Sequence, residues 1–474
     1  MTANPLAPPW LEAPADSNAL ADGVWSANAR RASGGELEVA GVPASALTAE
    51  FGSPLYVLDE ADARARAARI RTSFETAFAA IGATVTVYYA GKAFLSAEVA
   101  RWMDEEGLAI DVASGGELAL ALAAGIAPSR LGLHGNNKSL DELDRAVAAG
   151  VGAVVLDSAI EIERVADAAR RHGVVQRVRL RVNTGVHAHT HEYLATARED
   201  QKFGVPLGEV AGHVARIRSL ESLEFLGLHS HIGSQIFDVS GFVEAIGRLL
   251  AVHAMLLEGG PVPELNIGGG FGIAYTSVDR VTPIELMAEQ LAEAVAREAE
   301  RNGVAVPNIA IEPGRAVIGP AGLTLYTVGT IKDVEVATAF GSAVRRYVSV
   351  DGGMSDNVRP ALYGADYSTR IAGRASDAEP VLVRIAGKHC ESGDIVVHAD
   401  YLPGDVAPGD LLAVAATGAY CWSLASNYNY LVRPPVVAVA NGAARVIVRG
   451  ETEADLLARD TGLNPTASGE GATR

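Results

Sequence analysis

Cysteine is nearly absent: Cys390 and Cys421 are the only two among 474 residues. Two thiols cannot build a disulfide framework, and they lack zinc-ligand spacing. The opening MTANPLAPPW has no basic segment followed by an apolar core, so no secretory leader is expected. No run of about 18 uncharged apolar residues occurs, which argues against a membrane span. Positive charge is also scarce, with 39 Lys and Arg against 57 Asp and Glu and a net charge of −18. Phosphate-backbone binding needs clustered cations, so a nucleic-acid partner is not expected, although one local basic pocket for a small anion stays compatible with this balance. His187, His189 and His191 alternate in a loop-like run with no matching carboxylates, so no metal site is expected. These absences leave a cytoplasmic protein with reduced thiols.

Glycine, by contrast, is plentiful, with 50 residues that fall in clusters. The length predicts roughly two to three domains. Short β-rich apolar runs alternate with Ala/Leu/Glu/Arg helical stretches such as GELALALAAG. The strand candidates are Val85–Tyr89, Leu108–Val112, Leu131–His134, Val154–Leu156, Val178–Val182, Leu226–His229, Leu265–Ile267 and Ile309–Ile311. About eight such units match the count of a (β/α)8 TIM-type barrel better than that of a doubly wound sheet. After Arg315 the texture changes to β-branched runs bounded by Gly, Pro and Asp, which reads as a mainly antiparallel β domain. GELEVAGVP, near Glu38, is expected to be a strand returning to it. The expected layout is an N-terminal extension over 1–52, its first part disordered and its last part in the β domain. The barrel then covers 53–315, the β domain 316–463 and a flexible tail 464–474.

Active sites of such barrels lie at the C-terminal strand ends. Lys92, Asp111, His134, Asn136, Asn183, His231, Gly268–Gly270 and Glu312 follow the proposed strands. Gly268, Gly269 and Gly270 could bring backbone N–H groups close to a phosphate, with Gly314 and Arg315 following the eighth strand. A tight turn is the plainer explanation of the triplet alone. A lysine such as Lys92 is more often a solvated loop charge, but opposite a phosphate pocket it becomes a Schiff-base candidate for pyridoxal 5′-phosphate. Glu312 could keep that cofactor's ring nitrogen protonated, or it could pair with Arg315. His231 could stack on the ring, whereas His229 could face the other way.

YYAGKAF, DVASGGEL, HSHIGSQ, NIGGGFG, EPGR, CESGD and GAY, in this order, resemble the diaminopimelate decarboxylase family of fold type III pyridoxal-phosphate enzymes. The resemblance runs from about Gly34 to Leu463. It implies that Lys92 carries the cofactor, that His231 stacks on it, and that Ser234, Gly268, Gly269, Gly270, Glu312, Pro313, Gly314, Arg315 and Tyr420 hold it. It further implies a substrate set of Arg315, Arg359, Tyr363, Glu391 and Tyr420. Cys390 is the implied proton donor, contributed with Glu391 to the neighbouring subunit's site in a homodimer. The implied reaction removes CO2 from the D-centre of meso-2,6-diaminopimelate to give L-lysine. An ornithine- or arginine-type decarboxylase and a non-catalytic cofactor-binding homologue are the alternatives. A racemase would have no use for CESGD or RPALYGA.

Overall fold

The computed structural model describes residues 4–186, 202–339 and 341–463. The tail 464–474 and the histidines His187, His189 and His191 lie outside the described residues. The chain divides into two compact units: residues 63–273 with 280–319, and residues 1–62 with 274–279 and 320–474.

The first unit is a closed parallel barrel. Its strands are Val85–Ala90, Ala109–Val112, Leu131–Leu133, Ala153–Leu156, Gln176–Asn183, Leu223–His229, Glu264–Asn266 and Asn308–Ile311. They pair in chain order, and the last closes on the first through Ile309 to Val85. These are the eight strands expected from sequence, with ends shifted by a few residues. Strands covered on both faces read as apolar runs without alternation, which is why they were visible. Helices follow the strands, and their starts are written locally. Ser139 caps Leu140–Ala149 and exchanges hydrogen bonds with Glu142, while Gly150 ends that helix in the left-handed conformation. Ser240–Leu257 has the length and hydropathy of a membrane span, yet it is a barrel helix whose buried face includes Phe242, Ile246, Leu249 and Leu250. Inside the barrel, Arg179 is buried, paired to Glu264 and donating to the Tyr88 hydroxyl at 2.9 Å.

The second unit is built on a nine-stranded sheet. Its longest path runs Ile395–Pro403, Pro380–Ala386, Gly341–Val350, Gly322–Thr338, Leu55–Asp59, Val436–Ala440 and Ala443–Val448. GELEVAGVP lies in this unit, where Leu37–Val39 and Val42–Pro43 form a separate three-stranded sheet with Ala29–Arg31. One sequence expectation needs correction here. Leu55–Asp59, placed in the barrel segment by the sequence reading, instead pairs antiparallel with Gly322–Thr338 and parallel with Val436–Ala440. All five of its residues are buried, so either sheet would accept the run. Leu37, Val39, Leu47, Leu55, Val57, Leu323 and Val437 share one core cluster, so the small sheet packs on the large one by apolar burial. Residues 4–22 carry no helix or strand, but Leu6, Ala7 and Leu11 pack against Leu382, Ala399 and Tyr401.

Candidate active site

Lys92 lies on the single turn Gly91–Ala93, directly after the first barrel strand. Water reaches the side chain, yet protein surrounds the amine on most sides. That desolvation lowers its pKa; Arg181 adds to the effect, and Glu312 and Asp111 oppose it. The amine is therefore more readily deprotonated than a surface lysine's. The carbonyl of Pro313 accepts the Ala90 N–H at 3.0 Å, which ties the loop after the eighth strand to the residue before this turn.

Glu312 follows that eighth strand and is buried. His229 Nε2 lies 2.9 Å from its Oε1, and Asn266 Nδ2 donates to the same oxygen at 2.7 Å. A carboxylate only accepts, so the His229 proton sits on Nε2, and Nδ1 is buried without a partner among the described residues. His134 Nε2 lies 3.0 Å from Asp111 Oδ1 and 3.6 Å from Glu312 Oε1. Its ring meets the His229 ring edge-on at 5.1 Å. Burial alone would raise the pKa of both carboxyl groups. At Glu312 the surrounding imidazoles outweigh burial and hold it well below the usual range. At Asp111 burial and the Glu312 charge together push it well above. Two neighbouring buried carboxyls thus divide into one anion and one neutral acid. Burial also lowers His134 to about 4 and His231 to about 3, so both rings are neutral at pH 7.

The glycine turn follows the seventh strand and is fastened to this network. Asn266, whose amide donates to Glu312, accepts the Gly268 N–H on its Oδ1 at 2.8 Å. The Gly269 N–H donates to His231 Nδ1 at 3.3 Å. Side chains are excluded here: a Cβ at Gly269 would overlap the Glu312 carbonyl, and one at Gly270 (φ +111°) would overlap the Gly233 carbonyl. Across the turn, Arg315 Nη2 donates to Ser234 Oγ at 3.0 Å. Among the described residues the Glu312 carboxylate is paired with His229 and His134, not with Arg315.

Lys92, His231, Ser234, Gly268–Gly270 and Glu312–Arg315 thus come from the loops at one barrel mouth. The sequence reading missed Asn266, Arg179 and Arg181 and left His229 facing away. Asn266 stands in the quoted NIGGGFG motif, and its position one residue before Ile267 was the available signal.

The other expected residues belong to the second unit. Arg359 is buried, and its Nη1 donates to the hydroxyls of Tyr275, at 2.8 Å, and of Tyr367, so one corner of its fork is taken. Tyr363, on the same short helix, is 65% exposed. Cys390 is an exposed free thiol, and Glu391 Oε1 accepts the Gly393 N–H at 3.2 Å. Tyr420 adopts a left-handed backbone conformation (φ +63°).

An amine with a lowered pKa, an ionised buried carboxylate and an arginine–serine pair beside a glycine turn fit the needs of pyridoxal 5′-phosphate. They match its aldehyde, its ring nitrogen and its phosphate, respectively. A family model described as pyridoxal-dependent decarboxylase, pyridoxal binding domain, matches residues 66–319. The chain is 51% identical over 446 residues to diaminopimelate decarboxylase of Mycobacterium tuberculosis, covering 92% of this chain and 98% of that protein. It is 45% identical over 430 residues to the Bacillus subtilis protein of the same name, covering 90% and 95%. The solved structure of diaminopimelate decarboxylase from M. jannaschii in complex with L-lysine aligns with a TM-score of 0.83 at 30% identity, covering 92% and 98%.

Proposed function

The chain belongs to the diaminopimelate decarboxylase family and uses pyridoxal 5′-phosphate, and from that premise we propose that it decarboxylates meso-2,6-diaminopimelate at its D-centre to release L-lysine. The observation that carries this reading is the buried Glu312 carboxylate, held between His229 and Asn266 in the barrel mouth that also contains Lys92. The bound cofactor supplies an aldehyde for amines and an electron-poor ring that takes up the electron pair left by departing CO2.

This chain's side chains have the remaining tasks. Lys92 would hold the cofactor's aldehyde through its nitrogen. Glu312, kept ionised by its donors, holds a proton at the ring nitrogen. His231 would stack on the cofactor's ring, Ser234, Gly268, Gly269, Gly270, Gly314 and Arg315 would hold its phosphate, and Pro313 and Tyr420 would complete the set that holds the cofactor, Tyr420 also serving the substrate. Arg315, Arg359 and Tyr363 bind substrate carboxylate, and Glu391 binds the distal ammonium. A planar guanidinium suits the two oxygens of a carboxylate. Cys390 delivers the proton to Cα, with Cys390 and Glu391 coming from the partner of a cytoplasmic homodimer.

A substrate panel tests the assignment. Release of CO2 from meso-diaminopimelate, with L-lysine as product and with ornithine and arginine inert, is the expected result. Faster release from either of the other two would overturn it, and cofactor absorbance without any turnover would assign a binding role alone.

A further inference from the structure

Cys390 and Glu391 lie in the loop Gly387–Asp394, between strands Pro380–Ala386 and Ile395–Pro403. Its base is anchored through one carboxylate: Asp394 accepts the Met354 N–H at 2.6 Å and the His389 N–H at 2.7 Å. The Lys388 N–H adds a bond to the Gly352 carbonyl at 2.9 Å. The tip is held differently. His389 is buried, and its Nε2 accepts the Ser355 N–H at 3.2 Å. A ring nitrogen that accepts carries no proton, so the neutral imidazole bears its hydrogen on Nδ1. That N–H faces Asn429 Oδ1 at 3.1 Å. The same oxygen accepts the backbone N–H of Cys390 at 3.3 Å. Tyr428 stacks on the imidazole at 5.3 Å, fixing the plane of the ring.

The backbone at Asn429 is itself unusual. It adopts φ +52° and ψ +26°, and Tyr430 beside it has φ +58°. Non-glycine residues take this conformation at a cost, and it persists where the surroundings hold it. Here it directs one amide oxygen at two donors, one of them the peptide N–H of the residue bearing the thiol.

We infer that Asn429 is a positioning residue for Cys390: by accepting from His389 Nδ1–H and from the Cys390 N–H together, its oxygen fixes the peptide that aims the thiol. The inference rests on the reading of Cys390 as proton donor, and the test separates the two. Asn429→Gly keeps the left-handed backbone and removes the acceptor, whereas Asn429→Asp keeps an acceptor. Each variant of the full-length, cofactor-loaded enzyme is assayed for kcat and KM. Alkylation of Cys390 by iodoacetamide is followed by peptide mass, with buried Cys421 as internal reference.

For Asn429→Gly we expect kcat to fall by about tenfold or more, the scale of a misdirected general acid, with KM within about threefold. The Cys390 alkylation rate should change by more than about threefold, and the substitution should cost nothing further in a Cys390→Ala background. Asn429→Asp should restore kcat to within about threefold of the parent. Unchanged alkylation in Asn429→Gly, or an undiminished effect on kcat in the Cys390→Ala background, overturns the inference. If Cys390→Ala alone leaves kcat intact, the proton-donor reading fails; the alkylation rate then still decides whether Asn429 sets the thiol.

Discussion

At the residue scale, the chemistry depends on keeping one buried carboxyl charged beside another that is not. His229 provides a charge-assisted hydrogen bond to Glu312 from a side chain that is itself fully enclosed. His229→Phe keeps a ring of similar shape without the donor. Losing such a bond costs about 1.5–3 kcal/mol, so kcat should fall about tenfold to a hundredfold and the bound cofactor's absorbance should shift. An unchanged spectrum and rate would show that Asn266 alone suffices.

The neutral imidazoles also predict a pH dependence of folding. As pH falls through about 6.5, imidazoles in the unfolded chain take up protons, while His134 in the folded chain stays neutral down to about 4. The unfolded state then binds more protons, so stability is present above that window and is lost as pH falls through it. In urea titrations of cofactor-free protein at pH 7.5 and pH 5, His134→Asn should lose less stability between the two conditions than the parent, by about 2 kcal/mol. Equal losses would contradict the assignment.

Much at this scale was legible because strand ends in a barrel point to its mouth: Lys92, Glu312 and the glycines could be read as residues just past apolar runs. Arg181 could not, because it lies within a strand, and its inward direction is set only when the barrel closes. His229 was misjudged for a related reason. The strand ends at His229, so strand alternation cannot be carried forward to His231.

At the element scale, the loops after the seventh and eighth strands act as one piece, since Asn266 bonds to both Gly268 and Glu312. Gly269→Ala would press a methyl group onto the Glu312 carbonyl. We expect cofactor affinity in absorbance titration to weaken by about tenfold or more while far-UV circular dichroism is unchanged, because overpacking of about 1–3 kcal/mol is absorbed locally. Unaltered affinity would uncouple the two loops.

A second tether lies after the third strand. Lys138 Nζ bonds to the Gly135 and Val155 carbonyls at 2.6 and 2.7 Å and to Glu161 at 3.0 Å, with both side chains buried. Breaking such a pair leaves an uncompensated buried charge, so Lys138→Met should destabilise by about 3–5 kcal/mol, and Lys138→Met with Glu161→Leu should recover part of it. Thermal and urea unfolding of the two variants would show whether the double substitution is the milder one. Nothing local in the sequence announces this pair, because the loop after the third strand and the helix Ala159–His172 meet only in the folded unit. Leu55–Asp59 shows the same limit. A fully buried strand followed directly by the helix Glu60–Ala79 reads as a barrel unit, and only its partners reveal otherwise.

At the scale of the whole molecule, a chain of net charge −18 keeps Arg315, Arg179 and Arg181 around one barrel mouth or interior, so the overall balance says little about the local field. Composition could therefore exclude partners but could not name a ligand; the ordered motifs, spread over both units, did that. The central claim is that the Lys92 nitrogen carries the cofactor opposite the Glu312 carboxylate. Borohydride reduction of the loaded enzyme, followed by proteolysis and peptide mass analysis, tests it most directly. The reduced pyridoxyl group should be found on Lys92 and be absent from Lys92→Ala. Its attachment to Lys138, Lys202 or any other lysine would contradict the account.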